Sequence, residues 1–208
     1  MLEYRFRLLK SYLLRERPMK RCSWTGDDPL LIEYHDTEWG VPLHDDRKQF
    51  EYLSMEVMQC GLSWLTVLRK RDILRLAFDN FDVSKIALYD DERAEAIMKI
   101  EGMIHSPRKI RAIINNAKAF LRIQVEFDSF SSYLWQFTDN KTIEYLGHAD
   151  GSIVIAKNDL SDRISNALKG RGFSFLGSIT VYSHLQAAGL INDHCDYCFR
   201  YHQSAEES

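Results

Sequence analysis

Cysteine and histidine side chains gather at both ends of this 208-residue chain, and no other feature limits its path so tightly. Cys22 and His35 stand near the start with twelve residues between them; His194 and Cys198 stand near the end with three between them. Thiolate and imidazole are the borderline donors that Zn²⁺ prefers, and four of them with no open position make a structural tetrahedral site. One ion held this way would tie the two chain ends together. The spacing also permits a second set, Cys195, Cys198 and His202 in the order C-x2-C-x3-H, and it permits no metal at all, with free buried cysteines and surface histidines. It does not choose among the three. With no secretory leader in view, four cysteines point to thiol or metal chemistry rather than to a disulfide framework.

Between these ends the apolar pattern is helical. From Asp45, residues Phe50, Leu53 and Val57 recur at i, i+3 and i+7, and Gly61 stops the run as a C′ residue would. Ser63 caps a second helix through Leu65 and Leu68, extending toward Leu74. Short helices are expected near 84–89 and 91–100, followed by a turn over 101–107. A long helix then runs from Pro107 to about Ile123, with Ile110, Ile113, Ile114, Ala117 and Leu121 on one side. Further helices are expected over 129–137, from Ser161 to Gly170–Gly172, and from Ser178 to Gly189. Ile153-Val154-Ile155 is the one strand-like run, and neither βαβ alternation nor a glycine-rich phosphate loop is visible. The expected fold class is all-α.

Charge divides the chain unevenly. Residues 1–21 carry seven basic side chains against two acidic ones, although the whole chain has a formal charge of −3. A uniformly basic DNA coat is therefore excluded, and any nucleic-acid site must be local. Residues 1–18 read as a basic N-terminal extension, 19–198 as the main domain and 199–208 as a tail. No window approaches the roughly 20 apolar residues of a spanning helix, so an intracellular protein is expected.

Trp24, Tyr34, Trp39 and Trp64 fall within 41 residues. Such rings are usually core. Glu56, however, sits at the margin of the Phe50–Val57 stripe, and Trp64 follows one break later, so a carboxylate and an indole could border one partly dry space. Rings with a single anionic acceptor suit a flat cationic or amino-bearing ligand, and a nucleobase fits that description. The turn holding Gly102 and Ile104, with Arg108 and Lys109 in the next helix's first turn, would aim N–H groups and positive charge at a phosphate. Basic clusters at Arg69-Lys70-Arg71 and at Lys169 with Arg171 would extend that positive surface.

Arg21-Cys22, Trp24, Asp28-Pro29-Leu30, the segment YHDxEWGVP from Tyr34 to Pro42, GLSWxTVL from Gly61 to Leu68, Arg171-Gly172-Phe173 and Asn192-Asp193-His194 together resemble the DNA-3-methyladenine glycosylase I family. The likeness runs from about Met19 to Cys198. It implies an α-helical glycosylase of the helix-hairpin-helix superfamily, with the helix-hairpin-helix near 91–123. Such an enzyme binds duplex DNA containing alkylated bases, flips out 3-methyladenine and hydrolyses its N-glycosidic bond, leaving the free base as product. By the same matching, Cys22, His35, His194 and Cys198 hold a structural zinc, Glu56 holds the base, Trp64 stacks on it, and Tyr34, Trp24 and Trp39 line the pocket.

The chain departs from the family pattern in three places. Leu31 takes a pocket position that can be aromatic, Ile104 stands where superfamily hairpins carry a second glycine, and residues 1–18 and the tail from Phe199 have no counterpart. No lysine is indicated as a nucleophile, so a monofunctional enzyme is expected, monomeric and in the bacterial cytoplasm. The rival readings are a catalytically inactive member that binds modified bases and a zinc-stapled helical DNA-binding module with the tryptophans in its core.

Overall fold

The structure, a computed structural model, describes residues 19–145 and 155–203. The basic extension over 1–18, the Ile153-Val154 pair and residues 204–208 lie outside the described residues, as do the side chains of His202 and Gln203.

Eleven α-helices occur among the described residues. Helix α1 (Pro29–Thr37) is absent from the periodicity reading, yet Asp28 accepts a hydrogen bond from the Leu30 N–H at 3.0 Å and Pro29 takes a first-turn position. Helix α2 (Asp46–Gln59) begins at Asp45 as expected, with the Asp45 carboxylate accepting from the Lys48 N–H at 2.8 Å. Every residue from Gln49 to Met58 is buried, so α2 is not a one-stripe surface helix but the central rod of the fold. Ser63 caps α3 (Trp64–Leu68), which stops at Arg69 rather than reaching Leu74; α4 (Arg71–Ala77) starts afresh. Asp82 and Asp90 cap α5 (Val83–Ile86) and α6 (Asp91–Met98).

Helix α7 (Pro107–Phe127) runs a full turn past Ile123 and buries Ile110, Ile113, Ala117 and Phe120. It is followed by α8 (Phe130–Trp135), α9 (Asp159–Gly170) and α10 (Ser178–Ala187). Helix α9 starts two residues before Ser161, because Asn158 and Ser161 close a reciprocal capping box. Helix α2 packs against α7, α8 and α10, while α5 and α6 cover α7.

Two details add to the sequence reading. Ile143–Glu144 (β1) pairs in parallel with Ile191–Asn192 (β2), a two-residue ladder in a mostly helical body. Helix α11 (Phe199–Gln203) continues the packed domain beyond Cys198: the Phe199 N–H donates to the Lys20 carbonyl at 3.0 Å, and Arg200 is buried.

Asp46 locks the central rod to its neighbours. Its carboxylate accepts from the Phe130 and Ser131 N–H groups at 2.8 Å each and from the Gln124 amide at 2.7 Å, joining the starts of α2 and α8 to the end of α7. Asp46→Ala should lose about 2–3 kcal/mol and lower the melting temperature by about 5–10 °C, while Asp46→Asn keeps part of that. Thermal unfolding followed by circular dichroism checks this, and an unchanged midpoint for Asp46→Ala would refute it.

Candidate active site and metal centre

Chain segments from both ends deliver four donors to one point. Cys22 precedes a short 3-10 turn (Ser23–Thr25), His35 lies on α1, and His194 and Cys198 flank the turn between β2 and α11. All four are buried, and one donor atom from each lies within 4.8 Å of the others. His35 Nε2 is 3.3 Å from Cys198 Sγ, and His194 Nδ1 is 3.6 Å from both Cys22 Sγ and Cys198 Sγ.

The surroundings fit a divalent ion. His35 turns its other nitrogen, Nδ1, to Asp36 at 2.8 Å, and Arg21 grips Asp36 at 2.7–2.9 Å, which leaves Nε2 facing the thiols. The Cys195 N–H donates to Cys22 Sγ at 3.3 Å, so Cys195 supports the cluster through its backbone, and its thiol is not among the four donors. The hydrogen bond between the Cys22 and Cys198 thiols pushes Cys198 down and Cys22 up, the pattern of two sulfurs competing for one proton. Gly40 has φ +79°, and a Cβ there would lie 2.6 Å from His194 Nε2, so only glycine lets the chain pass over that ring. The cluster can hold a metal ion.

A second centre lies on α2. Glu56 is 3% exposed, and its Oε2 has no hydrogen-bond partner among the described residues. Burial pushes its carboxyl up to about 8. The indole Nε1 of Trp64, at the start of α3, is likewise buried without a partner. Tyr34 on α1 stands 5.3 Å from the Trp64 ring and within electrostatic reach of Glu56; burial is the main cause that raises its phenol well above the ordinary value. An acceptor and a donor left unsatisfied around one buried tyrosine are costly, about 1–3 kcal/mol each, and they suit a ligand that both donates and accepts hydrogen bonds.

The rings continue away from Glu56. Trp24, 39% exposed, lies 6.4 Å from Tyr34 and 5.1 Å from Trp39. Trp39 itself stacks on His35 at 6.1 Å and meets His194 edge-on at 4.6 Å, so it covers the Cys/His cluster. Leu31, one turn before Tyr34 on α1, is half-buried against the core.

Behind Tyr34 lies an ion network that sequence reasoning missed. Tyr52 packs on Tyr34 at 6.4 Å and donates its hydroxyl to Glu38 at 2.8 Å. Arg71 pairs with Glu38 at 2.7 Å and with Glu51 at 2.8 Å, and Arg75 and Lys48 extend the network. Burial alone would raise Glu38, but Arg71 outweighs it and the carboxyl falls to about 2. Arg71 therefore does not extend a positive surface. Arg69 pairs with Asp28 at 2.9 Å, and Arg171 pairs with Glu126 at 2.6 Å.

The turn from α6 to α7 divides its expected phosphate residues. Gly102 has φ +77°, and a Cβ there would meet Ile73 Cδ1 at 2.8 Å. Ile104 is half-buried against the core, and Arg108 is exposed with its guanidinium 5.7 Å from the Phe175 ring. Lys109 points inward instead: its ammonium donates to the Met58 carbonyl at 2.9 Å and to the Cys60 carbonyl at 2.6 Å. Buried, with two of its three N–H donors committed to the end of α2, it does not stand as a surface phosphate contact.

A family profile described as methyladenine glycosylase matches residues 24–201. A DNA-3-methyladenine glycosylase 1 of Escherichia coli (strain K12) is 42% identical over 183 residues, which span 88% of this chain and 97% of that protein. A DNA-3-methyladenine glycosylase of Haemophilus influenzae is 42% identical over 86% of this chain and 96% of its own length. Among solved structures, a 3-methyladenine DNA glycosylase I superposes with a TM-score of 0.82 at 42% identity, covering 86% of this chain and 98% of that one. The Staphylococcus aureus enzyme, studied for its recognition of 3-methyladenine, superposes with a TM-score of 0.81 at 36% identity, covering 87% and 96%.

Proposed function

The chain belongs to the methyladenine glycosylase family, and from that premise we infer that it is a base-excision-repair glycosylase hydrolysing the N-glycosidic bond of 3-methyladenine in alkylated DNA, with Glu56 as the residue that holds the base. The observation that carries the assignment of Glu56 is its buried, unpartnered Oε2 within electrostatic reach of Tyr34, the residue whose ring meets Trp64.

Methylation at N3 leaves adenine positively charged while it is still joined to the sugar. When the C1′–N9 bond breaks, its electron pair passes to the purine, which leaves neutral, and water adds to the oxocarbenium-like C1′ and sheds a proton. The bond is already weak, so no strong general acid is needed. The larger task is to extrude the right base from the stack, at a cost of a few kcal/mol. A cation entering the slot restores the charge balance that burial denies Glu56, whose carboxylate then accepts from the exocyclic amino group. The Trp64 ring supplies a stacking face, and Tyr34, backed by Tyr52, forms the adjoining wall, with Trp24 and Trp39 continuing it.

Duplex DNA is the substrate in this reading, and α6, the Gly102 turn and α7 form the helix-hairpin-helix, which presents the α7 N–H groups and Arg108 to a phosphate. Cys22, His35, His194 and Cys198 would hold Zn²⁺ as a structural ion, a cross-link between α1 and the C-terminal segment with no part in bond cleavage. The donor chemistry and the Asp36 support behind His35 favour this reading. In this reading the protein works as a monomer on bacterial DNA in the cytoplasm; no described helix is long and apolar enough to cross a membrane.

Incubating the protein with methylated duplex DNA and identifying every base released is the test. Free 3-methyladenine among the products supports the enzyme, base binding without release marks a non-catalytic binder, and neither marks a helical DNA-binding module. Trp64→Ala should weaken binding of free 3-methyladenine by about 1–3 kcal/mol, read by calorimetry, as lost stacking does elsewhere. Unchanged affinity would remove Trp64 from the slot.

A further inference from the structure

Lys109 occupies a position that its own helix disfavours. It lies in the first turn of α7, where the aligned peptide dipoles are already positive, and it is only 9% exposed. An apolar side chain could fill the same space without burying a charge. What offsets the burial is the opposite pole of another helix: the Met58 and Cys60 carbonyls at the end of α2, at 2.9 and 2.6 Å.

Those two carbonyls bracket a short but consequential stretch. Met58 lies two residues after Glu56, and Cys60 opens the Gly61-Leu62-Ser63 link that delivers Trp64 to α3. The ammonium thus clamps the joint between the two residues that would hold the base. Its chain neighbour Arg108, in the same first turn, is exposed, with its guanidinium 5.7 Å from the Phe175 ring. We propose that Lys109 is a positioning residue that couples the seating of the α6–α7 turn on duplex DNA to the placement of Glu56 and Trp64, through the Met58 and Cys60 carbonyls. Free base, which does not touch the turn, bypasses the coupling; a nucleotide within a duplex depends on it. The inference rests on the glycosylase reading given above.

The test compares wild type with Lys109→Met, Lys109→Gln and Lys109→Arg. Lys109→Met should lower the maximal single-turnover rate on methylated duplex about 10- to 100-fold, while calorimetric affinity for free 3-methyladenine stays within about threefold of wild type. Lys109→Gln, whose amide reaches one carbonyl, should fall between, and Lys109→Arg should recover most of the rate. In the wild-type protein, hydrogen exchange at residues 61–63 should slow when undamaged duplex binds. A wild-type rate in a folded Lys109→Met or Lys109→Gln, equal losses in excision and free-base affinity, or exchange at 61–63 that ignores DNA would each overturn the coupling. Wild-type protein that releases no base would instead overturn the glycosylase reading.

Discussion

Glu56→Gln should lower single-turnover release of 3-methyladenine from methylated duplex by about a hundredfold or more, the scale on which aligned electrostatic groups act. The same variant should melt at a higher temperature than wild type in alkaline buffer. Both effects follow from one buried carboxyl. Glu56 is raised from 4.5 to about 8 by desolvation, so between those values the folded protein keeps a proton that the unfolded chain releases. Stability therefore falls as pH rises through that window, and the full cost is present above about pH 8. At about 1.4 kcal/mol per unit, that cost is on the order of 5 kcal/mol, and an amide avoids it. Activity moves the opposite way: the carboxylate pairs with the cationic base, so kcat/KM should climb with pH through a midpoint near 8 in wild type, levelling off above it, and lie flat in Glu56→Gln. Melting curves and pH–rate profiles on both proteins check this. Equal rates, or a melting difference that does not grow with pH, would contradict it.

Removing the proposed zinc should have the largest effect on stability. Cys198→Ser, or prolonged chelation, should lower the melting temperature by about 10 °C or more, since structural zinc contributes several kcal/mol to folding and each kcal/mol shifts a domain of this size by about 2–4 °C. The cluster joins segments more than 150 positions apart in sequence, as the Cys22–His194 and His35–Cys198 contacts show. Excision per folded molecule should change less than stability, because Glu56 and Trp64 themselves lie on α2 and α3. Elemental analysis of freshly purified protein should find one zinc per chain. Its absence, or a melting point indifferent to chelator, would reject the assignment.

Much of this was legible beforehand, for identifiable reasons. Helices α2 and α7 announce themselves because their apolar positions repeat at helical spacing and because Asp45, Ser63 and Pro107 carry the chemistry of helix starts. Helix α1 was hidden: Leu30, Leu31 and Ile32 form a run rather than a stripe, and only Asp28-Pro29 marked its beginning. The β1–β2 ladder has no local signal, since two residues per strand pair only when the tertiary fold brings them together. Spacing alone could not choose between the candidate ligand sets; the family resemblance points to the four residues that the structure gathers at one point. Arg71 and Lys109 were misjudged for a common reason. A basic run reads as a solvated face until the partners are known, and here those partners, Glu38 and Glu51 for one and two helix-end carbonyls for the other, come from distant segments.

Carbon-13 NMR of the protein labelled at glutamate carboxyls follows the decisive group itself. The account predicts that the Glu56 resonance titrates with a midpoint near 8 in the free protein and shifts when 3-methyladenine saturates the slot. A midpoint near the ordinary 4.5, with a resonance unmoved by the base, would contradict it.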